Sequence, residues 1–154
     1  MLDILLLRSA QEATTAINTF IRNLPEGVNQ RFIRIHFQDG NSQDIQWLEN
    51  DTEILEKWST ELDTTHASVR QQLDHIEIFT SHPLLDQGLV LIDTPGLQSV
   101  IEYHEGITRR AIDEAHIAIW VQSTQQLGGN ATEWNFLSKT IRKNFNKFLT
   151  VINM

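Results

Sequence analysis

The sequence predicts an α/β fold: a mixed sheet whose later strands run parallel and are joined by crossover helices. Three observations carry this. Short apolar runs at 89–92, 117–121 and 148–152 are each bounded by turn or polar residues, as buried strands are. Between them, Ile107, Ala111, Ile112 and Ala115, then Trp134, Leu137, Ile141 and Phe145, repeat at helical spacing. From residue 76 onward the order is therefore strand, strand, helix, strand, helix, strand, the pattern of βαβ units.

The elements follow in chain order. Residues 1–7 read as a helix, and Ser9 to Ala13 as a loop. Ala16 to Ile21 alternates as a strand does, and Asn23 to Gly27 holds turn residues. Phe32, Ile33, Ile35 and Phe37 mark a second strand, closed by Asp39 and Gly40. These two strands are expected to form an antiparallel hairpin. Asn50 or Asp51 caps a helix carrying Ile54, Leu55, Trp58 and Leu62. Asp63 or Thr64 caps another, with Val69 and Leu73 on its buried face. Ile76 to Phe79 is a short strand. His82, Pro83 and Gly88 bracket the turn into a strand at 89–93, in which Leu89 to Ile92 are expected to be buried. A polar segment runs to about Glu105 before the next helix. The strand at 117–121 precedes a Gly-containing loop at 125–130, and the last strand spans 148–152.

The 154 residues suffice for one domain with a core, and a 40% hydrophobic content is ordinary for a globular chain. A net charge of −8 argues against non-specific nucleic-acid binding, which needs a basic face. With no cysteine there is neither a disulfide framework nor a thiolate metal site, in keeping with a reducing cytoplasm. No apolar run approaches the ~20 residues of a membrane span. Asp3 interrupts the apolar opening, which lacks a signal peptide's positive flank and cleavage site.

Chemistry concentrates at residues 89–96, Leu-Val-Leu-Ile-Asp-Thr-Pro-Gly. Asp93 is expected to emerge at the carboxyl end of its strand, where ligands of open α/β sheets bind. A carboxylate there suits Mg²⁺. Gly96, lacking a Cβ, lets a backbone N–H approach a phosphate oxygen. Asp-x-x-Gly alone is a weak signal; the strand before it and the βαβ spacing after it strengthen the reading. A plain strand-to-loop turn is the bland alternative. Thr14 and Thr15 lie in a loop just before a strand, where a hydroxyl can ligate Mg²⁺; an ST-turn is the bland alternative. Asn153 ends an apolar strand and is uninformative alone. His36, His66, His75, His82, His104 and His116 show no helical metal-type pairing and read as solvated or packing residues. Asn130 to Thr132 is a helix-cap region rather than a glycan acceptor, and the acidic residues of 44–63 read as a solvated face.

Together these residues resemble the GTPase domain of the dynamin superfamily, in its bacterial dynamin-like branch. Glu12 to Thr19 resembles the switch I segment entering a strand. His82 to Leu97 resembles the switch II block, with its Asp-Thr-Pro-Gly-Leu ending. Ala115 to Val121, the 132–145 helix and Phe148 to Asn153 resemble the path to the guanine-specificity motif. The resemblance implies a P-loop GTPase-like three-layer αβα sandwich with a mixed, mostly parallel sheet. It implies Mg²⁺ and GTP as cofactor and substrate. Thr14 or Thr15 would touch Mg²⁺ and help place the attacking water. Asp93 would hold Mg²⁺ through a water, and the turn Thr94, Pro95 and Gly96 would meet the γ-phosphate. Asn153 would open the base-reading Asn-Lys-x-Asp motif.

Against the family pattern, the phosphate-binding loop G-x-x-x-x-G-K-[S/T] is absent from these residues, and with it the strand that leads into it. Met154 stands where a lysine is usual, His116 where an acid is common, and Leu97 where small GTPases place a glutamine. Residues 1–154 are thus expected to be a partial GTPase domain, incomplete at both ends and inactive by itself. Without the missing strand, those at 89–93 and 117–121 would present open edges and the chain would be marginally folded. The family further implies homodimerisation through the nucleotide face, a part in membrane remodelling, and a cytoplasmic protein with peripheral membrane association through parts outside this chain. The alternatives are a non-catalytic, pseudo-GTPase-like interaction module or another α/β phosphate-handling domain.

Overall fold

The computed structural model describes residues 17–47, 72–94, 111–123, 135–136, 138–139 and 148–153. The chain divides into two compact units, Met1–Ser99 and Val100–Met154, each taken by itself below.

The first unit is built on a five-stranded sheet. Its strands are β1 (Thr19–Arg22), β2 (Phe32–Phe37), β3 (Ser42–Gln46), β4 (Leu73–Phe79) and β5 (Leu91–Asp93), in the spatial order β3-β2-β4-β1-β5. The sheet is mixed. β1 and β4 are parallel, whereas β1–β5, β2–β3 and β2–β4 are antiparallel. One face is the core. Ile21, Ile33, Ile35, Ile76 and Ile78 lie on it with Leu73, Trp47, Leu85 and Ile17, and Ile45 and Leu91 pack against them. Branched side chains suit this pleated surface, and fully burying each isoleucine contributes roughly 1.5–3 kcal/mol. The opposite face mixes aromatic and charged groups: Phe20 and Arg22 of β1, Phe32, Arg34 and His36 of β2, and His75, Glu77 and Phe79 of β4. There Phe32 stacks on Phe79 with ring centroids 4.5 Å apart.

β4 corrects the expected pairing. The strands around 16–21 and 32–37 do not form a hairpin; β4 lies between them and bonds to both. The connection of nine residues from Asn23 to Arg31 is too long for a tight hairpin turn. β4 is also the longest of the five strands, with four of its residues buried, so the centre of the sheet is where its backbone and apolar side chains are best satisfied. It begins at Leu73, three residues earlier than the apolar pattern indicated.

The true hairpin is β2–β3. Its turn is the predicted one: Gly40 takes φ +85°, its N–H donates to the Phe37 carbonyl at 3.0 Å, and the Asn41 N–H donates to Asp39 Oδ1 at 2.9 Å. β3 escapes sequence reading because Ile45 is its one apolar residue, as suits a polar edge strand.

β5 is shorter than expected, Leu91–Asp93 instead of 89–93, and it is not buried throughout. Leu89 is exposed and Val90 to Asp93 are half-buried. Two causes are visible. β5 has a ladder partner on one side, β1. Gly88, at φ +83°, closes the 3-10 turn Leu85–Gln87 with its N–H on the Leu85 carbonyl, which leaves Leu89 on the surface.

The second unit holds β6 (Ala118–Ser123) and β7 (Phe148–Asn153), paired in parallel as a two-stranded sheet, with a helical turn at 111–114 that buries Ala111 and Ile112. The parallel later strands expected from the sequence are therefore present, each within a residue or two of its expected bounds. Ile119, Val121, Leu149 and Val151 are all exposed. The strands around 89–93 and 117–121 belong to separate sheets. Leu73, expected on the buried face of a helix, opens β4 instead, because its side chain is fully buried in the sheet core. The expected helices at 1–7 and 50–62, residues 63–71 of the next, 107–110 of the one after it and most of that at 132–145 lie outside the described residues.

Candidate functional site

Strand direction decides where chemistry gathers. β1 runs antiparallel to β5, with Thr19 opposite Asp93, Phe20 opposite Ile92 and Ile21 opposite Leu91. The first residue of β1 thus lies beside the last of β5. The segment entering β1 and the segment leaving β5 meet at one end of the sheet. The entry is firmly seated: Ile17, Asn18 and Thr19 are buried, and the Asn18 carbonyl accepts the Ile76 N–H at 3.0 Å.

Asp93 is half-buried at the carboxyl end of its strand, the position the sequence assigned to it, and Thr94 beside it is half-buried too. Pro95 and Gly96 lie outside the described residues, as do Thr14 and Thr15. Asn153 closes β7 opposite Ser123, in the second unit. The strand-end position expected for it is present.

Two features escaped sequence reasoning. Thr19 is almost wholly buried, and among the described residues its Oγ1 has no hydrogen-bond partner. A hydroxyl left unpaired in a core costs about 1–3 kcal/mol, and this one lies across the ladder from Asp93. The second feature is a cluster of His36, His75 and Glu77 on the opposite face. The sequence reads the histidines as solvated or packing residues; the structure shows His36 and His75 directly opposed across β2 and β4, with rings stacked 4.1 Å apart. Such a pairing depends on register and leaves no sequence spacing to recognise.

The family model described as "Dynamin family" matches residues 2–154. Two similar solved structures come from work on an oligomerised bacterial dynamin pair concerned with long-range sensing and tethering of membranes. One is 19% identical with a TM-score of 0.59, covering 90% of this chain and 27% of that one. The other is 17% identical with a TM-score of 0.58, covering 90% and 22%. At this identity they establish a shared fold. The chain spans about a quarter of the length of these neighbours. No curated protein gives a significant match.

Proposed function

Starting from the fact that the chain belongs to the dynamin family, we propose that it is the switch-bearing part of a GTPase domain that binds GTP with Mg²⁺ and hydrolyses it. One observation carries the reading: the Thr19–Asp93 pairing joins the segment that follows Thr14 and Thr15 to the strand that delivers Asp93. Two segments far apart in sequence share one sheet end, where a ligand of an open α/β sheet binds.

In this reading Asp93 holds Mg²⁺ through a water, and Thr14 or Thr15 supplies a hydroxyl from the facing segment. Mg²⁺, when bound, neutralises charge on the phosphates. The Gly96 N–H donates to the γ-phosphate, with Thr94 and Pro95 shaping the turn. Asn153 contributes to base recognition. The chain's own residues act by positioning and electrostatics rather than by covalent chemistry. Leu97 offers no polar group to the attacking water, so orientation of that water falls to the threonine segment. The phosphate-binding loop would be contributed by residues outside these 154.

Partners are proposed on the same basis. The neighbours come from an oligomerised bacterial dynamin pair linked to the sensing and tethering of membranes. We assign this protein a homodimer through its nucleotide face and a peripheral membrane association. Among the described residues no helix is long and apolar enough to cross a membrane.

The test is nucleotide choice and turnover in the natural polypeptide that contains these residues. Saturable GTP binding with phosphate release, and at least tenfold weaker ATP binding, supports the reading. ATP preference points to another phosphate-handling domain. Absence of any nucleotide binding, with no in-frame Gly-Lys-Ser/Thr loop upstream of Met1, points to the interaction module.

A further inference from the structure

On the face of the sheet opposite the core, we infer that His36, His75 and Glu77 form a binding site for a divalent transition-metal ion of the zinc class. Each offers one ligand atom, and the three atoms lie within 4.8 Å of one another. Two imidazole nitrogens and a carboxylate oxygen are a donor set that Zn²⁺ takes in open sites, with water completing the tetrahedron. Zinc at about 2.0–2.1 Å from each ligand sets neighbouring donors roughly 3.3 Å apart. The widest separation, at most 4.8 Å, exceeds that value by about 1.5 Å, the adjustment that binding requires.

The strands prepare the site. His36 and His75 are a cross-strand pair, and Glu77 lies two residues along β4 on the same face. All three are half-buried, which limits the side-chain freedom to be lost on binding. A register shift between His36 and Phe37 leaves Asp74 as an extra residue on β4, a bulge. There Asp74 Oδ2 lies 2.8 Å from His75 Nδ1. A carboxylate on one ring nitrogen fixes the tautomer and frees the other as a lone-pair donor, the usual support for a metal-bound histidine. On the other side, His36 Nε2 is 2.8 Å from Glu77 Oε2. The ion would take the place of the proton between them, and that proton would leave to solvent.

Arg22 is the local competitor. Its Nε is 2.6 Å from Glu77 Oε1, a close ion pair that lacks the alignment of a hydrogen bond. It engages the oxygen that His36 does not, so Oε2 remains for the ion. Arg34 also lies opposite Glu77 but is taken up by Asp44; with that pair set aside, Asp74 and Glu77 outnumber Arg22, a balance that favours a cation.

The test is Zn²⁺ titration of the full chain, by calorimetry and by competition with a chromophoric chelator. One ion per chain is expected. Loss of an outer carboxylate partner weakens a metal site roughly 10–100-fold, so His36→Gln and His75→Gln are each expected to weaken binding at least about tenfold. Asp93→Asn is expected to leave it unchanged, which separates this site from the nucleotide site. No saturable binding overturns the inference. So does unchanged affinity in the doubly substituted chain, since His66, His82, His104 or His116 would then be the ligands. Should the variants fail to fold, zinc X-ray absorption on the unsubstituted chain decides. Two imidazoles support the site, and one or none overturns it.

Discussion

Thr19 and Asp93 face each other across the antiparallel β1–β5 ladder, the first residue of one strand against the last of the other. The Thr19 hydroxyl is buried without a hydrogen-bond partner among the described residues. In a structural position this is a cost, and valine would fill the same space without it. Thr19→Val is therefore expected to raise stability by about 1 kcal/mol, read as a higher denaturant midpoint. If the hydroxyl serves the nucleotide site, the same substitution weakens Mg²⁺-dependent GTP binding. A destabilised variant would show that the hydroxyl has a partner in the native state.

The core depends on a few isoleucines on one face of the sheet. Ile35 and Ile76 are directly opposed on β2 and β4, and both are fully buried. Ile76→Ala is expected to cost about 2–5 kcal/mol, and Ile76→Val about 0.5–1.5 kcal/mol. Urea unfolding of both variants checks the ratio. Since a small domain's margin is about 5–15 kcal/mol, the alanine variant is expected to lose a sizeable part of it, read as a clearly lower urea midpoint.

Arg34 and Asp44 join β2 to β3 by two parallel hydrogen bonds of 2.7 and 2.8 Å. The hydrogen bond from Arg34 holds the Asp44 carboxyl below its usual range. A carboxylate with a lowered folded-state pKa adds stability above its unfolded value near pH 4, and that stability is lost as pH falls through the lower folded value. Both groups are at least one-third exposed, so the pair is worth less than about 1 kcal/mol. A double-mutant cycle with Arg34→Met and Asp44→Asn is expected to give a small coupling at pH 7 that shrinks in high salt and disappears in strong acid.

The two sheets are expected to differ in protection. β4 is flanked by strands on both sides and buries Leu73, Ile76, Ile78 and Phe79. β6 and β7 form a two-stranded sheet with Ile119, Val121, Leu149 and Val151 exposed, and two strands alone are marginally stable. Amide hydrogen exchange is expected to be slowest in β4 and β1 and orders of magnitude faster in β6 and β7. Equal protection would show that the second sheet is covered in solution.

What could be read from the chain follows from the range of the forces involved. The strands at 118–123 and 148–153 were legible because apolar runs and their turn signals are local. So was the Asp39–Gly40 turn, because a left-handed residue calls for glycine there. The position of Asp93 at a strand end followed from the same local pattern. Pairing was not legible: β4's insertion between β1 and β2 is decided by which strand buries most, a property of the whole sheet. β3 was missed because an edge strand with one apolar residue carries almost no periodicity. His36 and His75, 39 residues apart, meet through register alone.

The central claim is that Asp93 holds the magnesium of a bound GTP. It is tested most directly by titrating fluorescent GTP into the natural polypeptide containing these residues, with Mg²⁺ and with EDTA, for the parent and for Asp93→Asn. The account predicts that Mg²⁺ strengthens binding in the parent by at least about tenfold, and that this increment vanishes in Asp93→Asn while the fold, by circular dichroism, is retained. An increment of equal size in the variant would contradict it.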